Sequence, residues 1–205
     1  MRRNQRALSQ EIQEKNKKPK NDGFIRLISG QWKGKKLPVK DKQGLRPTTD
    51  RTKETLFNWL MHDVRDANCL DCFSGSGSLG FEALSRYANF CTFLELDKQI
   101  AIQLKNNMNA LKANNAEVLQ VDSLLHLTSP AQKQYNLVFI DPPFNKSLAQ
   151  PCIDQLSSKG HLADDCLIYL EVENTLKELS IPDNWELLKE KQSSQVRYQL
   201  FYKRL

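Results

Sequence analysis

The chain has 205 residues, 40% of them apolar and 26% charged, with a net charge of +6 at pH 7. That apolar content sustains a core and excludes a wholly disordered chain, no run of 18 apolar residues offers a membrane span, and an N-terminus charged from Arg2 onward does not read as a secretory signal. Residues 1–53 hold 16 Lys and Arg against 5 Asp and Glu, whereas the remainder holds 14 against 19, an asymmetry that points to a polyanion met by one face or arm.

Residues 1–22 lack apolar periodicity and are expected to form a basic, disordered tail. FIRLIS (24–29) and KGKKLPV (33–39) read as short strands around a Gly30–Gly34 turn, so residues 23–48 are expected to form a β-hairpin extension. RPTTD (46–50) then supplies a helix start: Thr48 or Thr49 as N-cap, Asp50 in the first turn, and Leu56, Phe57, Leu60 and Met61 on one helical face. From residue 67 strands and helices alternate. Strands are expected at 67–73, 90–96, 116–121, 135–141 and 166–172, with helices at 78–88, after Asp97, near 123–129 and across SLAQPCIDQLSS. WELLKEK (185–191) and SQVRYQLFYKR (194–204) close the chain as an antiparallel hairpin. The pattern predicts an α/β fold with a seven-stranded mixed sheet and helices on both faces.

Five cysteines, at 69, 72, 91, 152 and 166, leave one over, and the Cys69-x-x-Cys72 spacing raises a redox or zinc reading. Strand residues three apart point to opposite faces, so those thiols do not converge. The histidines are scattered, no metal is expected, and all five cysteines read as small buried side chains in a reducing cytoplasm.

After the first strand of the alternating unit comes DCFSGSGSLG, residues 71–80, with glycines at 75, 77 and 80. These let a ligand touch the backbone where the next helix begins. Glu95 closes the second strand, where a carboxylate accepts from both ribose hydroxyls. A dinucleotide site competes with this reading. Asp71, however, would repel a pyrophosphate and suits the ammonium end of an amino acid, so the loop fits S-adenosyl-L-methionine. Asp122, ending the third strand, is placed for the adenine N6 amine, with a simple helix cap as the alternative.

FIDPPFN (139–145) sets a carboxylate, two prolines and a ring at the end of the fourth strand. Methylating an exocyclic amine of a base requires two acceptors that hold its N–H bonds and aim its lone pair. Asp141 and the Pro142 carbonyl suit that task, Pro142 and Pro143 stiffen the turn, and Phe144 offers a stacking face.

These motifs together resemble the class I S-adenosylmethionine-dependent methyltransferases acting on amino groups. More narrowly the chain resembles the RsmD family, bacterial enzymes that methylate guanine N2 in 16S ribosomal RNA, at guanine 966 by the family's pattern. RLISGQWKGKKL (26–37), GLRPTTDRTKETLFNWL (44–60), CLDCFSGSGSLGFEALSR (69–86), LELD (94–97), VFIDPPF (138–144) and VRYQLFYKR (196–204) carry the resemblance. It implies a Rossmann-like fold, with residues 49–205 as the S-adenosylmethionine-dependent domain. It implies cofactor contacts from Thr48, Thr49, Thr52, Asp71, Phe73, Ser74, Gly75, Ser76, Gly77, Glu95, Leu96, Asp122 and Ser123. Catalysis falls to Asp141, Pro142, Pro143 and Phe144. The basic residues Lys33, Lys35, Lys36, Arg46, Arg51 and Lys53 read as an RNA grip. The expected partner is 16S ribosomal RNA in a partly assembled small subunit, met by a cytoplasmic monomer without a membrane. From the motif alone, adenine N6 of DNA or RNA and a non-catalytic RNA-binding assembly factor stay open.

Overall fold

The computed structural model describes residues 23–40, 49–176 and 179–204. The expectations for the tail at 1–22, for Arg46 and for Thr48 lie outside these described residues.

Among them, seven strands form one sheet: β3 (Asn68–Asp71), β4 (Phe90–Glu95), β5 (Ala116–Gln120), β6 (Tyr135–Ile140), β7 (Leu162–Glu173), β8 (Trp185–Gln192) and β9 (Val196–Lys203). Their spatial order is β5-β4-β3-β6-β7-β9-β8. The pairs from β5 to β7 are parallel, and β9 runs antiparallel to both β7 and β8, which makes the expected mixed sheet. The near-continuous apolar runs of the central strands reflect burial on both faces. One face packs Phe93, Phe139 and Tyr169 against the helices α1 (Asp50–Trp59), α2 (Ser78–Ser85) and α3 (Lys98–Leu111). The other packs Val138, Ile140, Ile168 and Leu170 against α4 (Ser123–Leu127) and α5 (Ala149–Ser158). Cys69 lies in the first core and Cys72 in the second, as strand alternation requires, and all five cysteines are buried and unbridged.

Helix α1 begins at an N-cap, Thr49, whose side chain accepts from the Thr52 amide at 3.2 Å. Leu56, Phe57 and Leu60 enter the core, but Met61 is 62% exposed. The helix ends at Trp59 with Leu60 as its C-cap, so Met61 falls beyond the last turn and leaves the apolar stripe.

The N-terminal strands β1 (Gly23–Arg26) and β2 (Lys36–Val39) form an antiparallel pair whose Ile25 and Leu37, with Leu27 and Val39, join the first core. A carboxylate fixes this hairpin to α2. Glu82 is fully buried, and it accepts from the Ile28 amide at 2.8 Å, the Ser29 amide at 3.1 Å and Arg86 Nε at 2.8 Å. A buried charge is tolerable when hydrogen-bond donors surround it in this way. The turn above it comes so close that a Cβ on Gly30, where φ is +79°, would sit 1.7 Å from the Ser85 carbonyl oxygen. Lys53 also belongs to this joint. Its side chain is 1% exposed, and its ammonium donates to the Arg26 carbonyl and pairs with Asp50 at 3.2 Å. Burial withdraws it from the expected RNA grip, because an exposed phosphate cannot reach it.

Glu82→Ala is expected to destabilise the protein by about 3 kcal/mol, since it removes the partner of the Arg86 guanidinium and of the half-buried Ile28 and Ser29 amides. Equilibrium urea unfolding measures this, and a loss below about 1 kcal/mol would show that the hairpin is held elsewhere.

Candidate active site

Strand order reverses at β3 and β6, which are adjacent while their following connections diverge: β3 is flanked by β4, and β6 by β7. Such a point opens a crevice at the carboxyl ends of the strands. Here it is a cleft of about 1350 Å³. Its floor lies at the ends of β3, β4, β6 and β7, and α1 and the turn between β8 and β9 contribute walls.

One half is built around the loop after β3. Phe73, Ser74, Gly75 and Ser76 line the cleft. The loop is held from behind: the Ser74 amide donates to the Leu94 carbonyl at 3.0 Å, and Ser74 Oγ donates to the Asp71 carbonyl at 3.0 Å. Glu95 ties the loop after β3 to the turn after β4, accepting from the Gly75 amide at 2.9 Å and the Asp97 amide at 2.8 Å. Its orientation toward a ligand is therefore fixed beforehand. Gly77 was expected to touch a ligand but is not part of the lining. Its glycine requirement is internal, because at φ +74° an added Cβ would lie 2.6 Å from both Leu104 and Phe81.

Asp71 lies beneath this loop, 3% exposed, and accepts from the Gly80 amide at 3.2 Å. Burial raises its pKa to about 7 and the nearby Glu95 charge adds to the rise, while the Gly80 hydrogen bond opposes it. Ser78, at the start of α2, also lines the cleft, and its Oγ is buried without a hydrogen-bond partner among the described residues. An acid beside an unsatisfied hydroxyl and the free amides of a helix start suits a small zwitterion. Leu96, Asp122 and Ser123 line the same half. Asp122 is a helix cap as well as a lining residue, accepting from the Leu125 amide at 3.1 Å. Ser123 Oγ donates to the Cys72 carbonyl, which fastens α4 to the end of β3.

The other half is the turn after β6. Asp141, Pro142, Pro143 and Phe144 all line the cleft, so the acidic turn and the glycine loop face one space. The turn is closed by Asn145, at φ +60°, whose amide donates to Glu173 Oε1 at 2.8 Å. Thr49, Arg51 and Thr52 reach the cleft from α1, while Lys33, Lys35 and Lys36 stand apart, exposed on the hairpin. Sequence reading missed Glu171 and Tyr198, the 193–195 turn, and the lining cations Lys146 and Lys191. The signal for Glu171 and its neighbour Glu173 was present: two acidic residues on one parity of the apolar stretch LIYLEVE at the end of β7. Among the described residues, no group of three His, Cys, Asp or Glu side chains is placed to hold a metal ion.

A family model described as "Conserved hypothetical protein 95" matches residues 25–202. A relative from Escherichia coli K12 named "Ribosomal RNA small subunit methyltransferase D" is 51% identical over 191 residues, covering 90% of this chain and 94% of that protein. A Haemophilus influenzae protein of the same name is 51% identical over 186 residues, covering 89% and 96%. Among solved structures, a putative methyltransferase from Escherichia coli superposes with a TM-score of 0.82 at 47% identity, covering 89% of this chain and 99% of that one. Family match, identity and shared fold agree: the chain belongs to the RsmD family of small-subunit ribosomal RNA methyltransferases.

Proposed function

We propose that this protein transfers a methyl group from S-adenosyl-L-methionine to the exocyclic N2 of a guanine in 16S ribosomal RNA. The observation that carries this reading is the shared cleft, in which a buried acid and a glycine loop face a stiff acidic turn ending in an aromatic ring. Asp71, Ser78 and the loop amides suit the amino-acid end of the cofactor. Glu95 suits its ribose and Asp122 its adenine, with Thr49 and Thr52 closing over it. When bound, the cofactor supplies a methyl group on a sulfonium and departs as the thioether.

The chain's own work lies on the base. Asp141 accepts one N2–H and the Pro142 carbonyl the other, so the nitrogen lone pair is turned out of the ring plane toward the methyl group. Pro142 and Pro143 fix the backbone φ of the two central turn residues, and the Glu173 contact to the Asn145 amide secures its far end. Phe144 takes the base on its face, worth about 1–3 kcal/mol toward the cost of drawing it from its neighbours. As the N–C bond forms the nitrogen becomes acidic, and its extra proton passes to solvent. Arg51, Lys146 and Lys191 at the cleft, with Lys33, Lys35 and Lys36 on the hairpin, form the RNA grip in this reading. The cleft leaves little protein surface for reading sequence, which favours a partly assembled small subunit that presents the base. A monomer suffices for all of these roles.

Asp141→Ala is expected to lower the single-turnover rate of methyl transfer by about 100- to 1,000-fold. Calorimetric affinity for S-adenosylmethionine should stay within about threefold, and an equal loss of both would assign Asp141 to the cofactor instead.

The raised pKa of Asp71 predicts a pH-dependent cofactor affinity. The charged carboxylate, which holds an ammonium, is lost as pH falls through about 7. Affinity should therefore weaken toward tenfold per unit as pH falls below 7, while Asp71→Asn binds weakly and shows no such loss. A wild-type affinity constant between pH 6 and 8 would remove Asp71 from this role.

A further inference from the structure

The outward face of the N-terminal hairpin carries a ring that the core does not use. Strand alternation sends Ile25, Leu37 and Val39 inward and leaves Phe24, Arg26, Lys36 and Pro38 on the opposite face. Phe24 stands across from Pro38, and Arg26 across from Lys36. The Lys36 ammonium reaches diagonally to 4.4 Å from the centre of the Phe24 ring. With that contact in place Phe24 is still 56% exposed.

The hairpin's position joins this face to the cleft. Val39 and Lys40 meet Gly75 and Ser76 of the glycine loop and Ile100 of α3 around one small gap. Gly23 pairs with Val39 and Phe24 with Pro38, so the ring lies a single strand step, about 3.4 Å, from the end that abuts the loop. The backbone beneath is pinned. Lys53 donates to the Arg26 carbonyl, buried Asn107 donates to the Pro38 carbonyl at 2.9 Å, and Glu82 holds the Ile28 and Ser29 amides. A ring presented on a fixed strand loses little freedom when a ligand covers it.

Charge indicates the ligand. Residues 23–40 hold five Lys and Arg and no Asp or Glu. A ring meant for an apolar protein partner would sit among apolar side chains, whereas this one has Arg26 and Lys36 beside it. Cations next to an exposed aromatic face match a nucleotide, which offers a flat base and charged phosphates. Bases within an A-form helix are stacked on one another, so the fitting ligand is unpaired. We propose that Phe24 stacks an unpaired nucleobase of the RNA outside the cleft, with Arg26 and Lys36 on the adjoining phosphates, so that the hairpin anchors the strand that delivers the methylated base. This rests on the ribosomal RNA reading above and adds an aromatic contact separate from Phe144.

The test uses the full chain, S-adenosylmethionine and small ribosomal subunits that lack the methyl group. Phe24→Ala should raise KM for the subunit about 5- to 100-fold, with kcat within about twofold. Calorimetric cofactor affinity and the urea unfolding midpoint should match the wild type. Phe24→Leu keeps an apolar side chain without a π face and should lose as much as Phe24→Ala, while Phe24→Tyr should restore the wild-type KM. Arg26→Gln and Lys36→Gln should each lower the slope of log KM against log salt by about 0.7, which Phe24→Ala leaves unchanged. An unchanged KM in Phe24→Ala would overturn the stacking, and unchanged slopes would overturn the phosphate contacts. Wild-type behaviour of Phe24→Leu would also overturn it, making the ring an apolar contact to a ribosomal protein. Each of these results leaves the methyl-transfer reading intact. A wild-type protein that methylates no small subunit would overturn both.

Discussion

Parallel pairing of β3 with β6 places Asp71 opposite Phe139, and everything at the site follows from that register. The glycine loop leaves β3 and the acidic turn leaves β6, so motifs far apart in the chain emerge beside each other at the carboxyl ends of two central strands. Neither could do methyl transfer alone. The loop offers a ligand backbone amides and fixed acids, and the turn offers acceptors for an amine. The sheet sets their separation, with strands covered by helices on both faces and therefore resistant to sliding: a one-residue slip would send each apolar side chain to the opposite core.

Buried carboxylates are used in two ways in this protein. Glu82 is surrounded by two amides and a guanidinium, and it joins the N-terminal hairpin to α2. Asp71 has no guanidinium beside it among the described residues, and burial, with the Glu95 charge adding to it, outweighs its backbone hydrogen bonds and raises its pKa to about 7. A guanidinium partner marks the structural acid, and a carboxylate whose charge burial opposes suits an incoming cation.

Much of this was legible in the sequence because the signals were local. Thr49 caps α1 as its spacing before Leu56 and Phe57 requires, and the strands carry the apolar runs from which they were read. DPPF and the glycine loop announced themselves by residue types that turns demand. What stayed hidden depended on tertiary approach. Lys53 looks like any surface cation beside Arg51, yet three-dimensional packing turns it inward to the Arg26 carbonyl. Met61 fits the helical stripe but lies beyond the point where the helix stops. Gly77 belongs to the cofactor motif by spacing, while its lack of a Cβ answers to Leu104 and Phe81, which no local pattern predicts. Glu171 joined the site only through the tertiary arrangement that brings the end of β7 to the cleft.

A crystal structure with S-adenosylhomocysteine and a guanine nucleotide tests the central claim most directly. The guanine should lie stacked on Phe144, with its N2 about 3 Å from the Asp141 carboxylate and the thioether sulfur above Gly75 facing that nitrogen. A guanine whose N2 points away from Asp141, or a cofactor seated outside the loop between β3 and α2, would contradict it.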